Sequence, residues 1–216
     1  MSKKLDENQK TKNAIHFINT TQRMMDSEDL SQISVRKIAD AAGFHNSTIY
    51  LYFKDLDELL MLASIKYFQG YAKDLSALSR KNLDPISNFI SIWDLYFNTV
   101  FKNPNIFYNF FFGKRSQHLK KLLNQYYDFF PSERQIFSNE IETMYYGDNL
   151  SERSIKILYP LIDEKSLITA DNIEMINDII VSSTKYMLEL KCKDLNKSSN
   201  ELISELQDIL RHVCGI

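Results

Sequence analysis

The sequence is poor in the residues that build turn-rich or cross-linked folds. Its 216 residues include only five glycines, four prolines and two cysteines. Few glycines and prolines favour long helices over sheets with many tight turns. Cys192 and Cys214 have neither metal-ligand spacing nor enough partners for a disulfide framework. We therefore expect a helical protein of a reducing cytoplasm.

Long apolar runs and a secretory leader are also missing. The apolar cluster at residues 106–112 is far shorter than the ~18 apolar residues of a membrane span, and it contains Tyr108 and Asn109. The first ten residues, MSKKLDENQK, lack the apolar core of a signal peptide. These absences predict a chain that has no membrane partner.

Motifs for catalysis and metal binding are absent as well. The sequence has no glycine-rich phosphate loop, no nucleophile elbow and no HExxH motif. Its four histidines have no carboxylate or cysteine at ligand spacing. We therefore expect no catalytic residues, no cofactor and no metal. A helical enzyme would need a site assembled from residues that are far apart in the sequence.

The positive and negative charges nearly balance but are unevenly distributed. A net charge of −2 argues against a protein that coats nucleic acid along its whole surface. Residues 1–54 carry eight basic and six acidic residues, whereas residues 55–216 carry eighteen and twenty-two. A DNA-reading head on an acidic body would have this distribution. Lys3 and Lys4 belong either to an arm that touches DNA phosphates or to a solvated tail.

The segment at residues 33–60 contains the most informative sequence pattern of the chain. Apolar residues at spacings of three and four predict a helix at Val35–Ala42. Ser34 precedes this helix and can cap it. Gly43 follows it, where the chain needs a left-handed backbone that glycine adopts at little cost.

A second short helix is predicted to begin at residues 45–47. Two short helices around a glycine turn form a helix-turn-helix, whose second helix can enter the DNA major groove. A buried helical hairpin would be more apolar here, and a solvated one would carry Lys and Glu. The second helix instead offers neutral hydrogen-bonding groups: His45, Asn46, Ser47, Thr48, Tyr50 and Tyr52. Asp55 and Glu58 then have the spacing of a capping box and open a third helix.

At these residues the chain resembles the N-terminal DNA-binding domain of TetR-family transcriptional regulators. The resemblance covers roughly residues 8–60, and its matching positions agree in order and spacing. These positions are Ile33-Ser34-Val35-Arg36, Ile38-Ala39, Ala42-Gly43, Ser47-Thr48-Ile49-Tyr50, Tyr52-Phe53-Lys54 and Leu59.

The resemblance implies a set of DNA-binding residues and also shows three departures from the family pattern. The expected DNA-binding residues are Ser34, Arg36, Lys37, His45, Asn46, Ser47, Thr48, Tyr50, Leu51, Tyr52 and Lys54. His45 stands where serine is common, so we expect Asn46 or Ser47 to cap the second helix of the helix-turn-helix. Leu51 replaces a common basic residue and offers apolar contact, for example to a thymine methyl group. Leu56 stands where a phosphate-contacting lysine is common.

The third helix of this segment is predicted to continue to about Leu78. At 1.5 Å per residue it would be ~35 Å long and would link a DNA-binding domain at residues 1–54 to a larger helical domain at residues 55–216. Within that domain, Pro85, Pro104 and Pro131 mark helix starts. The helix after Pro131 is expected to end near residue 147, and Ser151 is expected to cap a short helix that stops at residue 160.

Two amphipathic helices are predicted at the end of the chain, beginning at Asp171 and after Ser198. Such a pair suits a four-helix bundle formed between two subunits, and the resemblance implies the same dimer. The predicted interface residues are Ile176, Ile180, Met187, Leu202, Leu206 and Leu210. Alternatively, these apolar stripes pack within one subunit.

The predicted C-terminal domain is rich in aromatic residues, which make up 12% of the chain. Aromatic stripes commonly form the core, but their density here also suits a pocket for an apolar or flat ligand. The residues expected to bind such a ligand are Tyr67, Trp93, Tyr96, Phe97, Phe111 and Tyr127. The acidic balance of this domain favours a neutral or cationic effector.

The sequence therefore predicts an all-α, two-domain, homodimeric transcriptional regulator. We expect a repressor that binds a two-fold related operator in double-stranded DNA and is released by a small apolar or aromatic molecule. The main alternative is a helical protein-binding adaptor that keeps the fold without specific DNA contacts. Leu51 and Leu56 are the residues that keep this alternative open.

Overall fold

A computed structural model describes residues 7–162 and 164–216 of the chain, so Lys3 and Lys4 lie outside the described residues. The described residues form helices and turns without a β-strand. The α-helices are α1 (Glu7–Met25), α2 (Val35–Ala42), α3 (Leu56–Leu78), α4 (Pro85–Val100), α5 (Pro104–Phe112), α6 (Leu119–Phe129), α7 (Asn139–Tyr145), α8 (Leu150–Leu158), α9 (Ile173–Lys193) and α10 (Ser199–Cys214). The predicted all-α fold is confirmed.

Short 3₁₀ helices complete the secondary structure of the described residues. They span Leu30–Gln32, Asn46–Leu51, Pro131–Glu133 and Tyr159–Leu161. We call Asn46–Leu51 the recognition helix. It is a 3₁₀ helix of six residues, which is tighter than an α-helix and longer than most 3₁₀ helices.

Several predicted helix starts are confirmed by hydrogen bonds at the caps. The Asp84 side chain accepts a 2.9 Å hydrogen bond from the backbone N–H of Ser87, with Pro85 at the first helical position. The Ser198 hydroxyl accepts one of 3.3 Å from the backbone N–H of Glu201. Each cap satisfies a backbone donor that a helix start leaves without an internal partner.

The predicted helix from Pro131 to near residue 147 is wrong. A 3₁₀ turn ends at Glu133, and α7 begins only at Asn139. Between them Ile136 is 85% exposed, and its carbonyl accepts a 2.6 Å hydrogen bond from the Ser76 hydroxyl. This carbonyl is therefore satisfied by a side chain from α3, outside any helix.

The predicted cap of α8 is also wrong. Asn149, not Ser151, is the capping residue, and its side-chain oxygen accepts a 2.8 Å hydrogen bond from the backbone N–H of Glu152. The Glu152 carboxylate in turn accepts one of 3.0 Å from the backbone N–H of Asp148. Asn caps helices as well as serine does, and this reciprocal pair satisfies two backbone donors. The chain continues through residue 160 as a 3₁₀ turn.

The chain forms two compact units. The first unit comprises the residues up to Tyr67 together with Lys121–Arg134, and the second comprises Phe68–Lys120 and Gln135–Ile216. Helix α3 is one continuous helix that contributes to both units. Its residues 56–67 belong to the first unit and its residues 68–78 to the second. The predicted domain boundary after residue 54 stays a prediction.

Phe17 of α1 lies at the centre of the N-terminal helices in the first unit and is fully buried. Its ring centre is 4.9 Å from that of Phe44, 5.6 Å from that of Tyr52 and 6.3 Å from that of Phe53. These contacts place α1 against the segments on both sides of the recognition helix. Burial of several large apolar side chains at one point fixes the orientation of the helix-turn-helix.

The second unit has a predominantly aromatic core. Phe68 of α3 stacks on Tyr71 with 4.5 Å between ring centres and on Tyr145 with 6.0 Å. On α4, Trp93 lies 5.4 Å from Tyr96, edge to face. Among the described residues, no helix combines the length and the apolar character that a bilayer span requires.

Candidate functional site

Helix α2 and the glycine turn hold the recognition helix in place. The Ser34 hydroxyl accepts a 3.3 Å hydrogen bond from the backbone N–H of Lys37, as predicted for the cap. Gly43 adopts the left-handed backbone with φ of 75°, also as predicted. The backbone N–H of Phe44 donates to the carbonyl of Ala39 at 2.9 Å and closes the turn. The cap and the turn together determine where the recognition helix starts.

His45 caps the recognition helix, so the prediction that Asn46 or Ser47 does so is wrong. The Nδ1 atom of His45 accepts from the backbone N–H of Ser47 at 3.4 Å and lies 2.8 Å from the Ser47 hydroxyl. An imidazole Nδ1 stands two bonds from Cβ, as the side-chain oxygen of Asn or Asp does. The neutral ring can therefore accept a capping hydrogen bond in the same way.

The recognition helix buries one residue and turns most of its remaining side chains outward. Ile49 is fully buried, whereas Tyr50 is 59% and Leu51 71% exposed. All predicted DNA-binding residues lie in the first unit. Those exposed are Arg36, Lys37, His45, Asn46, Ser47, Tyr50, Leu51 and Lys54, and those partly exposed are Ser34, Thr48 and Tyr52.

Some of these side chains already have intramolecular partners. The Lys37 ammonium forms a 2.8 Å ion pair with Glu28, and the Arg36 Nε lies 3.8 Å from Asp40. Exposed ion pairs are weak, and a phosphate can compete for these cations. The Tyr52 hydroxyl accepts a 2.8 Å hydrogen bond from the Asn13 side chain, which orients the phenol beside the recognition helix.

A buried cavity lies in the second unit between α3, α4, α7 and α8. It is lined by Tyr71, Ile92, Trp93, Tyr96, Met144, Leu150, Arg153, Ser154 and Ile157. Its volume is about 20 Å³, and about 10–15 Å³ suffices for one water molecule. Trp93 and Tyr96, two of the six residues predicted to bind a ligand, line this cavity. Their role in ligand binding stays a prediction.

Four other predicted ligand-binding residues lie elsewhere. Phe97 and Phe111 are buried in the second unit but do not line this cavity. Tyr67 and Tyr127 belong to the first unit. There Tyr67 hydrogen-bonds to Asp26, and burial together with the Asp26 carboxylate raises the pKa of the Tyr67 hydroxyl. The assignment of these four aromatic residues to a ligand site stays a prediction.

Arg153 is the cavity residue that sequence reasoning missed. It is only 3% exposed, and burial also raises the pKa of the neighbouring Tyr71 hydroxyl, an effect that the Arg153 charge partly opposes. A signal was present, because Arg153 follows Leu150 by three residues and precedes Ile157 by four, on the apolar face of α8. The local charge of the cavity is therefore positive. The expectation of a neutral or cationic effector was based on the negative net charge of residues 55–216, which is opposite in sign.

The predicted dimer-interface residues are part of the core of a single chain. Ile176, Ile180, Met187, Leu202, Leu206 and Leu210 are all buried without a second subunit. Side chains that are already buried add almost no area to an interface, so their assignment to the dimer interface stays a prediction that burial in the single chain does not favour. The alternative, packing within one subunit, describes these six. On α9 the exposed apolar side chains are instead Met175, Ile179 and Tyr186.

Comparison of the sequence with known proteins gives one partial similarity. No protein-family model matches the chain. An uncharacterized HTH-type transcriptional regulator of Haemophilus influenzae is 31% identical over 100 residues, which are 46% of this chain. The match spans about half, 54%, of the length of that regulator.

Comparison of structures gives matches over nearly the whole chain. The TetR-family repressor FadR of Thermus thermophilus in complex with lauroyl-CoA superposes with a TM-score of 0.61 at 12% identity, covering 93% of this chain and 92% of FadR. RolR in complex with resorcinol gives 0.63 at 14% identity, covering 98% and 91%. FadR of Bacillus subtilis in complex with stearoyl-CoA gives 0.56 at 15% identity, covering 94% and 98%. The chain therefore has the fold of the TetR-family transcriptional regulators, as the resemblance over roughly residues 8–60 predicts.

Proposed function

We propose that the protein is a sequence-specific DNA-binding transcriptional regulator, a repressor that a small molecule releases from its operator. The observation that supports this most directly is the recognition helix, which is anchored by the buried Ile49 and presents Asn46, Ser47 and Tyr50 to solvent. Neutral hydrogen-bonding side chains on an exposed helix suit the reading of base edges in the major groove. Such a regulator would act in the bacterial cytoplasm.

The proposed contacts divide into two kinds. Asn46, Ser47, Thr48 and Tyr50 would read bases, and Leu51 would contact a thymine methyl group. Phosphates would be held by groups at the edge of the surface, including Ser34, Tyr52 and Lys54. Because two of the nearby cations already have acidic partners, we expect a moderate dependence of affinity on salt.

A selection experiment tests the proposed DNA binding. Random-sequence DNA is enriched on the protein, and the affinity of the enriched site is compared with that of random DNA by mobility shift. Asn46→Ala should weaken the enriched site by ~1–3 kcal/mol and leave random DNA unchanged. Lys54→Ala should weaken both DNAs alike, because phosphate contacts are independent of sequence. If no motif is enriched, the adaptor hypothesis replaces this proposal.

We further propose that the protein binds DNA as a homodimer. The exposed apolar side chains of α9, Met175, Ile179 and Tyr186, are candidates for the contact between subunits. A two-fold dimer would place its recognition helices in half-sites about one helical turn, ~34 Å, apart on one face of the DNA. The enriched motif should therefore be a palindrome with that spacing.

Regulation would depend on α3, which is continuous between the two units. Tyr71 of α3 lines the cavity in the second unit, and Leu59 is buried in the first. A ligand that displaces Tyr71 would move α3 and shift the dimer away from the geometry that fits DNA. Linkage then requires DNA to weaken the ligand by the same factor as the ligand weakens DNA, typically ~1–3 kcal/mol. A ligand that binds free protein and DNA complex equally would contradict this mechanism.

A further inference from the structure

Arg153 is a buried cation that makes a side-chain hydrogen bond to the Tyr71 hydroxyl but keeps unpaired N–H groups. Its guanidinium lies 5.1 Å from the ring centre of Tyr145, 5.2 Å from that of Phe68 and 5.7 Å from that of Phe111. Aromatic faces attract a cation, but they do not replace the acceptors that its N–H groups need. Neither Nη1 nor Nη2 has a hydrogen-bond partner.

Three further polar atoms without partners belong to residues that line the same cavity. They are the indole Nε1 of Trp93, the hydroxyl of Tyr96 and the hydroxyl of Ser154. Arginine and tryptophan can only donate hydrogen bonds, and the two hydroxyls can donate as well. Buried donors that stay unpaired reduce the stability of a protein. A contribution to the stability of the fold does not explain why these donors are concentrated around one cavity. A ligand rich in hydrogen-bond acceptors does.

The described part of the chain contains no carboxylate that forms an ion pair with Arg153. The neighbouring Glu152 is exposed and accepts from the backbone of Asp148. Burial raises the pKa of both the Tyr71 and Tyr96 hydroxyls, so neither phenol is an anion near neutral pH. A buried charge without a counter-ion is costly, and an anion from solution would remove this cost.

The rest of the cavity wall is apolar, with Ile92, Met144, Leu150 and Ile157 in the lining. Arg153 is the one Lys or Arg among the lining residues. A single guanidinium matches the two oxygens of a carboxylate through paired hydrogen bonds, whereas a phosphate dianion would need a second cation. The apolar wall calls for a hydrocarbon or aromatic body attached to that carboxylate.

We propose that this cavity binds a small organic monocarboxylate, with the carboxylate on Arg153 and the apolar body against α4 and α8. The inference rests on the proposed function, because this ligand would be the effector. The cavity has room for about one water molecule, so the ligand must displace wall residues as it enters. That displacement includes Tyr71 and Trp93, and it connects ligand binding to α3 and α4.

A titration with matched pairs of compounds tests the proposal. Benzoate and octanoate are compared with benzamide and octanamide, in a buffer without chloride, by the fluorescence of Trp93 and by the melting temperature. Trp93 is the only tryptophan of the chain, so the fluorescence signal comes from the cavity. The carboxylates should bind at least about tenfold more tightly than their amides, because a charge-assisted pair is much stronger than a neutral hydrogen bond.

Three variants define the role of Arg153. In Arg153→Met the preference for the carboxylates should vanish without a fall in melting temperature, because the variant removes an unpaired buried charge. Arg211→Met, which removes an exposed arginine of α10, should keep the preference. Tyr96→Phe keeps the charge but removes one donor, so it should weaken the carboxylates several-fold and the amides by less.

Two results would overturn the inference. One is equal binding of carboxylate and amide to the native protein, and the other is a preference that persists in Arg153→Met. Both measurements use free protein without DNA. A carboxylate preference in a protein that enriches no DNA motif would leave this inference standing and remove the proposed function. An enriched motif without a carboxylate preference would leave the proposed function standing and remove this inference.

Discussion

Gly147 lies so close to Arg153 that any larger residue at position 147 would collide with it. A Cβ atom added to Gly147 would be 2.8 Å from Cγ of Arg153 and 3.1 Å from its backbone nitrogen. The backbone conformation of Gly147 does not itself require glycine, since its φ is not positive. The missing side chain therefore serves to make room for the stem of Arg153.

Gly147→Ala should destabilise the protein by ~1–3 kcal/mol, because an overpacked site forces its neighbours to shift. It should also reduce the preference for carboxylates, since Arg153 would move. The matched control is Gly70→Ala on α3, where a new Cβ would meet no atom within 4 Å and where alanine should stabilise the helix by ~0.5–1 kcal/mol. Urea unfolding measures both changes. Equal stability of the two variants would contradict the assigned role of Gly147.

Two neighbouring residues on α9 allow the core and the proposed subunit interface to be tested separately. Ile180 is 1% exposed and Ile179 is 38% exposed in the single chain. Ile180→Lys should unfold the protein, because it buries an unpaired charge in the core. Ile179→Lys should instead give a folded monomer. Light scattering and circular dichroism measure the two outcomes, and a dimer that survives both Ile179→Lys and Tyr186→Lys would place the interface on another surface.

The difference between these two isoleucines also shows what the sequence could and could not predict. Helix type and helix starts follow from local chemistry, so the caps at Ser34, Asp84 and Ser198 were predictable. Helical periodicity shows that one face of α9 is buried, but it does not show what covers that face. The stripe through Ile176 and Ile180 is buried within its own chain, and periodicity alone does not distinguish this from burial against a second subunit.

The cavity was harder to predict for a related reason. Residue type alone places arginine on the surface, and the burial of Arg153 depends on contacts with Phe68 and Phe111 from distant parts of the chain. Its position on the apolar face of α8 was the available local signal. The cap at His45 is hard to predict because histidine is not among the residues preferred at a helix start, although its Nδ1 has the necessary reach.

Cys214 should make the stability of the protein fall at alkaline pH. Burial raises the pKa of the Cys214 thiol from 9.0 to about 12. Between these values the unfolded chain loses this proton and the folded chain keeps it, so the stabilising contribution is complete below pH 9 and is lost as pH rises towards 12. By pH 10.5 the loss should be about 2 kcal/mol at 1.36 kcal/mol per unit.

The comparison that isolates this effect uses two cysteine variants. Urea midpoints are measured from pH 8 to pH 10.5 for the native protein, Cys214→Ala and Cys192→Ala. Cys214→Ala should be less stable below pH 9, because it leaves a cavity, but its stability should fall less steeply as pH rises. Cys192, which is partly exposed, should leave the slope unchanged when replaced. Parallel curves for the native protein and Cys214→Ala would exclude this explanation.

The hydrogen bond between Asn13 and Tyr52 gives a test of how the DNA-binding surface is held. Asn13 donates to the Tyr52 hydroxyl at 2.8 Å, so the hydroxyl keeps its own proton available for a phosphate oxygen. Tyr52→Phe should therefore lower DNA affinity by about 0.5–1.5 kcal/mol, the usual net contribution of one hydrogen bond. The loss should be the same on the enriched site and on random DNA, because phosphate contacts do not read sequence.

Asn13→Ala keeps the Tyr52 hydroxyl but removes the group that orients it, so its loss should be smaller. The double variant should be no weaker than Tyr52→Phe alone, because the Asn13 side chain acts on DNA through that hydroxyl. Fluorescence anisotropy at one fixed salt concentration measures all three, with Asn46→Ala as the control that affects only the enriched site. Unchanged affinity of Tyr52→Phe for both DNAs would limit Tyr52 to packing against Phe17. A greater loss for Asn13→Ala than for Tyr52→Phe would give Asn13 its own contact with DNA.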